Sequence, residues 1–309
     1  MSEELTEYKT TTGEVVKLPP REALYQQMIK RNHGIISAEE QGVIRKAKIL
    51  VAGCGSIGGA IIEPLIRIGA ENFILAEPDG YDFHNINRQS VRLQDVGINK
   101  AESFKRRLGD INPYVSITVH DDGITDTNVE TLVMGADIIF DGVDVTNKPP
   151  ILCKFALHKC AKKHKVPVIS GYDIAGLQLL LVYDYRKENM PVFNAKVLEN
   201  ELETLEPMPF LQKIIPFTKL PFEIIEIMEF QYANPEAGFP QVVYTAVLYG
   251  AMALRTGIDV LMGRPVKHII SFDLNDAPRP LEEKIKIFFM RYIGLVKSLI
   301  KFKQVYKQT

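Results

Sequence analysis

Gly53-Cys54-Gly55-Ser56-Ile57-Gly58 stands between an apolar run, KILVAG, and a segment of helical character, IGGAIIEPLIRIGA. Glycines at such a junction permit a tight turn and close approach of backbone to phosphate, and the free N–H groups of a helix start attract the anion. Glu77 closes the next apolar run, NFILAE, where an acidic side chain can bond a ribose hydroxyl. The pattern predicts a nucleotide site. By itself it does not choose between NAD, FAD and ATP, and glycines serving only helix–strand packing remain the alternative.

The residues after Glu77 bear on that choice. The run PDGYDFHNINRQSVRLQDVGINKAE places Asn85, Asn87, Arg88, Gln89, Arg92 and Lys100 behind the mouth of the loop. A hydride-transfer site needs an apolar nicotinamide slot, whereas a triphosphate needs charge. Arg grips phosphate oxygens bidentately, Lys acts as a point charge, and Asn bonds phosphate or ribose. A solvated basic loop is the plainer alternative.

Here the chain resembles the ThiF/MoeB family, bacterial relatives of the ubiquitin-activating enzymes. The likeness rests on GCGSIGG, LAEPD, NINRQ, GINK, INP and IIFDGVD, in order between about Arg31 and Asp184, with weaker support from LMGRPV. The resemblance implies an ATP-dependent adenylyltransferase that joins a carboxylate to AMP, with Mg²⁺ as the metal. Gly53, Gly55, Ser56 and Gly58 would form the phosphate loop. Glu77 would hold the ribose where the family usually has Asp, with Asp79 also at the nucleotide. Asn85, Arg88 and Lys100 would contact phosphates, and Asp144, just past the strand whose end Asp141 marks, would bind the magnesium. Arg31 would act in the active site of a second subunit of a homodimer, although another register puts His33 there. The catalytic set so implied is Arg31, Arg88, Lys100 and Asp144, and the carboxylate would belong to a peptide or a small ubiquitin-like or sulfur-carrier protein.

Adenylation needs neither a protein nucleophile nor a base, because the substrate carboxylate is already ionised at neutral pH. Accordingly no Ser/His/Asp or Cys/His arrangement is found. The family's paired Cys-x-x-Cys motifs are missing, so no structural zinc is expected. Between Arg186 and Pro240 there is no cysteine to carry a thioester, so the reaction is expected to stop at the acyl-adenylate or its capture by a second nucleophile. Cys54 reads as merely small enough for the loop, and Cys153 and Cys160, seven apart, as core packing on one helix face. His158 and His164 read as solvated or capping residues.

The elements around these residues alternate between strands and helices. This specifies an α/β, Rossmann-like fold, a mostly parallel sheet with helices on both faces, extended by an antiparallel part and a C-terminal helix. Residues 1–36 read as an N-terminal arm and 37–280 as the adenylation domain, with a nucleotide-binding half at 37–184 and a substrate/crossover half at 185–280. Residues 281–309 read as an amphipathic helix with Ile285, Phe288, Tyr292, Leu295, Leu299 and Phe302 at helical spacing. Ser37 and Glu40 predict a capping box ahead of KILVAG. A formal net charge of −1 argues against broad attraction to nucleic acid or a membrane. Three unpaired cysteines and the polar N-terminus suit a cytoplasmic protein. An NAD- or FAD-dependent oxidoreductase would leave Arg88, Lys100 and Asp144 unexplained. A non-catalytic nucleotide-binding scaffold of the same fold would bind ATP without releasing pyrophosphate.

Overall fold

The computed structural model describes residues 7–234 and 239–305. A short hairpin, β1 (Glu7–Lys9) and β2 (Val15–Lys17), precedes α1 (Arg21–Ile29) and α2 (Ala38–Lys46). The capping box forms: the Glu40 N–H donates to Ser37 Oγ at 3.1 Å and the Ser37 N–H to Glu40 Oε2 at 2.7 Å. There follow β3 (Lys48–Ala52), α3 (Ser56–Arg67), β4 (Asn72–Ala76), α4 (Lys100–Ile111), β5 (Ser116–His120), α5 (Val129–Met134), β6 (Ile138–Asp141) and α6 (Lys148–His164). The remainder is β7 (Val168–Ile174), β8 (Leu177–Tyr183), α7 (Pro207–Ile214), α8 (Ile224–Ala233), α9 (Val243–Leu261), β9 (Ile269–Asp273) and α10 (Leu281–Val305).

Among the described residues these strands form a seven-stranded sheet in the order β5-β4-β3-β6-β7-β8-β9. The first five are parallel, while β8 and β9 run antiparallel to their neighbours. Alternate residues serve opposite faces, as a pleated strand requires. Leu50 and Ala52 join one core with Ile139, Phe155 and Leu179, and Ile49 and Val51 join the other with Ile61, Phe104 and Tyr249. The chain leaves β3 toward β4 on one side and places β6 on the other. The crevice at the carboxyl ends of β3 and β6 is therefore the switch point at which such sheets hold ligands.

The small residues of α9 let it lie against α3 and the sheet. A Cβ on Gly250 would stand 2.4 Å from the Ala60 carbonyl oxygen, and one on Gly257 would stand 2.8 Å from the Phe140 ring. β7 runs past the VPVIS segment to Ile174, because the tight turn at Ala175–Gly176 pairs it with β8 along its whole length. That extension brings Asp173 onto the sheet. In α10 Leu295 is buried, but Ile285, Phe288 and Tyr292 are exposed, so much of the apolar stripe has no cover among the described residues. The side chains of Leu299 and Phe302 lie outside the described residues. Among the described residues no helix is long and apolar enough to cross a membrane.

Candidate nucleotide-binding site

The loop from β3 into α3 is set by backbone crowding. Gly53 has φ +82°, and a Cβ there would lie 2.6 Å from the Gly142 carbonyl oxygen. A Cβ on Gly58 would lie 1.8 Å from the Gly53 carbonyl oxygen, so both glycines are demanded by packing of the loop on itself and on the turn after β6. Gly55 differs: its Cβ would meet only the Gln89 amide, at 3.8 Å, and it precedes Ser56 at the open start of α3.

Glu77 is buried at the end of β4 and is held by the loop itself. Its Oε2 accepts from the Cys54 N–H at 2.6 Å and its Oε1 from the Asp79 N–H at 3.0 Å. Burial pushes its carboxyl up from the ordinary range, while Lys100 and the two N–H groups pull it down. Lys100 opens α4 with its ammonium 3.7 Å from Glu77 Oε1 and 3.4 Å from Asp79 Oδ2. Asn99 caps that helix through the Ala101 and Glu102 N–H groups and donates its amide to the Glu77 carbonyl. Cys54 is fully buried, and its thiol is pushed well up by burial and by Glu77, which leaves it a small core residue without nucleophilic character.

The NINRQ segment closes the front. Asn85 is buried and spends its Oδ1 on the Asp82 N–H at 2.9 Å, holding its own turn. Arg88 donates through Nη1 to the His84 carbonyl at 3.1 Å and to Asn87 Oδ1 at 2.9 Å, yet its buried Nε has no partner. Arg88, Gln89 and Ser56 share a cleft of about 230 Å³ with the first turn of α9. Asp144 is exposed in the turn after β6, where its carboxylate accepts from the Thr146 N–H at 3.0 Å and the Thr146 hydroxyl at 2.6 Å. The structure thus gathers Gly53, Gly55, Ser56, Gly58, Glu77, Asp79 and Lys100 about one loop, with Arg88 on the cleft that Ser56 enters. Arg31 is exposed in the turn after α1, and among the described residues no hydrogen bond or ion pair joins it or His33 to this loop.

Two groups escape the sequence reading. His158 is fully buried, which corrects its expected place as a solvated or capping residue. It lies 3.0 Å from Asp141 Oδ2 and 2.8 Å from the Tyr185 hydroxyl. Asp141 also meets the Lys154 ammonium at 2.6 Å and the Ser170 hydroxyl at 2.6 Å, and it accepts the Val143 N–H at 3.1 Å. Burial alone would raise the Asp141 carboxyl, but Lys154 and His158 hold it well below the usual range. The network fixes the start of the turn that carries Asp144. The second group is Asp173, whose Oδ2 accepts from the Ser56 hydroxyl at 3.4 Å while its buried Oδ1 has no partner. It lies past the VPVIS run, on the part of β7 that pairs with β8, so no local pattern marks it.

These features suit a nucleotide triphosphate with magnesium. Arg88 and Ser56, the latter at the start of α3, line one cleft, and the buried Arg88 Nε is a donor without a partner. Magnesium bound through phosphates needs only one or two carboxylates, and Asp144, exposed and bonded among the described residues only to Thr146, would be the one to hold it. Asp141 is not available as a second, since its oxygens are taken. Among the described residues no group of three or more His, Cys, Asp or Glu side chains could hold a metal ion by itself.

The chain belongs to the ThiF family, whose model matches residues 29–202. It is 31% identical over 176 residues to a molybdopterin-synthase adenylyltransferase of Salmonella typhimurium, covering 54% of this chain and 67% of that protein. A SAMP-activating enzyme E1 of Haloferax volcanii is 28% identical over 152 residues, with 48% of this chain and 54% of that protein covered. The chain thus spans between about half and two thirds of the length of these curated relatives. Its fold is also that of Escherichia coli MccB solved with ATP, at a TM-score of 0.54 and 19% identity, covering 76% of this chain and 62% of that one.

Proposed function

We propose that this chain uses ATP to activate a carboxylate as an acyl-adenylate, with release of pyrophosphate. The observation that carries the reading is the meeting of Ser56, Arg88 with its free buried Nε, Lys100 and Glu77 around the glycine loop at the switch point of a ThiF-family sheet. In this reading Glu77 holds the ribose, with Asp79 beside it. Arg88, Lys100 and Asn85 face the phosphates, and Arg31 of a second copy completes the site in a homodimer. A substrate carboxylate oxygen bonds to the α-phosphorus, and the bond to the α,β-bridging oxygen breaks. The barrier is largely the meeting of anions, which Arg88 and Lys100 offset by fixed positive charge. Magnesium held by Asp144 would supply further neutralisation of the departing pyrophosphate. The carboxylate belongs to a peptide or a small ubiquitin-like or sulfur-carrier protein in the cytoplasm, gripped by the N-terminal arm and the Arg186–Pro240 segment outside the sheet.

Titration calorimetry with ATP·Mg²⁺, NAD⁺ and FAD tests this. ATP is expected to bind in a magnesium-dependent way, and Asp144→Ala is expected to weaken that binding about tenfold or more. Arg88→Ala, which removes charge-assisted bonds to phosphate, is expected to weaken it by about 10- to 100-fold. Binding of NAD⁺ or FAD that ignores magnesium and Asp144 would overturn the reading in favour of an oxidoreductase. Magnesium-dependent ATP binding without release of pyrophosphate from ATP in the presence of peptides or carrier proteins would leave a scaffold.

A further inference from the structure

The hydrogen bond from Ser56 to Asp173 joins two openings. On one side is the cleft with Ser56, Arg88 and Gln89; on the other, Asp173 lines a crevice of about 180 Å³ with Glu223, Glu226, Gln241, Thr245 and Asn275. Among the described residues lining that crevice there is no Lys or Arg. Asp173 Oδ1 is out of contact with water and has no partner. Gln178 lies directly opposite Asp173 in the β7–β8 register, is fully buried, and leaves its Oε1 without a partner as well. Buried acceptors in native proteins are paired, and these two share the sheet face on which α9 packs. What is missing is a donor.

We propose that this crevice admits a primary amine as the acyl acceptor, and that Asp173 binds it and takes its proton as general base for attack on the acyl-adenylate. The inference rests on the adenylation reading above, which leaves the captured product undefined. Adenylation itself uses no base, but amide formation does. The ammonium gives one proton to the Asp173 carboxylate, and the freed lone pair bonds to the acyl carbon. The bond from that carbon to the adenylate oxygen then breaks and AMP departs. The second proton leaves the nitrogen for solvent, and the product is an amide. With no cysteine between Arg186 and Pro240, no enzyme thioester intervenes.

The electrostatics agree with the geometry. Burial raises the Asp173 carboxyl to about 7, with the Ser56 hydroxyl and Arg88 opposing it. A base poised near neutrality is both substantially ionised and able to hold a proton. The other charged groups at the crevice are Glu223, one of whose oxygens pairs with Arg279, and Glu226, which is exposed at the mouth. Amine binding is expected to strengthen between about pH 6 and pH 8 as Asp173 ionises.

Saturation-transfer NMR on the full chain with n-butylamine and N-butylacetamide tests the proposal. ATP·Mg²⁺ titration of the same samples reports on the nucleotide site. Butylamine is expected to bind and N-butylacetamide not to bind. Asp173→Asn, of the same shape but without charge, is expected to weaken butylamine about tenfold or more, and Glu226→Gln at the exposed mouth about two- to threefold. Absence of butylamine binding by the wild type, equal binding of the acetylated compound, or indifference to both substitutions would overturn the proposal. Loss of ATP·Mg²⁺ binding by the wild type would instead strike the adenylation reading, whatever the amine does.

Discussion

Asp141→Ala is expected to cost about 3–5 kcal/mol of folding stability, read by urea denaturation at neutral pH. Asp141 is fully buried and so is Lys154, whose ammonium sits 2.6 Å from Asp141 Oδ2. Removing the carboxylate leaves a buried ammonium facing the Val143 carbonyl at 3.4 Å and the Tyr172 ring at 5.3 Å from its centroid, with no counter-charge paired to it among the described residues. His158 and Ser170 lose their partner in the same step. The cost comes from the groups left behind, so the double variant Asp141→Ala with Lys154→Met is expected to recover part of it. A double variant no more stable than the single one would show that the pair is not coupled.

The pH dependence follows from the direction of the shifts. Lys154 and His158 depress the folded-state pKa of Asp141, so its contribution is present above the ordinary aspartate value of about 3.9 and is lost as pH falls through the depressed one. Burial likewise depresses His158, with Asp141 acting against it, so the neutral ring donates from Nε2 to Asp141 and accepts at Nδ1 from Tyr185. Its contribution too is present above about 6.5, the ordinary histidine value, and lost on acidification below its folded value. The penalty of Asp141→Ala is therefore expected to hold from neutral pH down to about 4 and to shrink below it.

That network also marks where the sequence is hard to read. The glycine loop, Glu77 and Lys100 were legible because each sits at an element boundary fixed by local pattern: an apolar run, a turn of glycines, an Asn99 cap. Asp141, Lys154, His158 and Tyr185 are joined only when α6 packs on the sheet. Lys154 and His158 are four apart on α6, on the side that also carries the buried Ile151, Phe155 and Leu157, and a polar pair on so apolar a face was the signal. Asp173 was hidden differently. The end of β7 is set by pairing with β8 through the Ala175–Gly176 turn, a non-local condition that the VPVIS pattern does not contain. Between Arg186 and Pro240 the periodicity is weak because the buried side chains, Phe193, Phe210 and Ile214 among them, come from turns and helices too short to repeat a pattern.

Gly58→Ala is expected to weaken ATP·Mg²⁺ binding about 100-fold and to cost about 1–3 kcal/mol of stability. Helix propensity alone predicts the opposite, since Ala is favoured over Gly inside a helix by about 1 kcal/mol. Sterics decide. The new Cβ would stand 1.8 Å from the Gly53 carbonyl oxygen and 3.0 Å from Val51 Cγ1. That carbonyl belongs to a residue at φ +82°, itself wedged against Gly142, so it cannot turn aside without carrying the Cys54 and Gly55 backbone with it. The Cys54 N–H that orients Glu77 moves in the same displacement, so the phosphate and ribose ends of the site are lost together. Gly109→Ala is the matched comparison: it lies in α4 with nothing within 4 Å of the added carbon, and it is expected to gain up to about 1 kcal/mol with ATP binding kept. If Gly58→Ala bound ATP·Mg²⁺ as the wild type does, the loop would be a packing device alone, and the phosphates would have to lie elsewhere in the cleft.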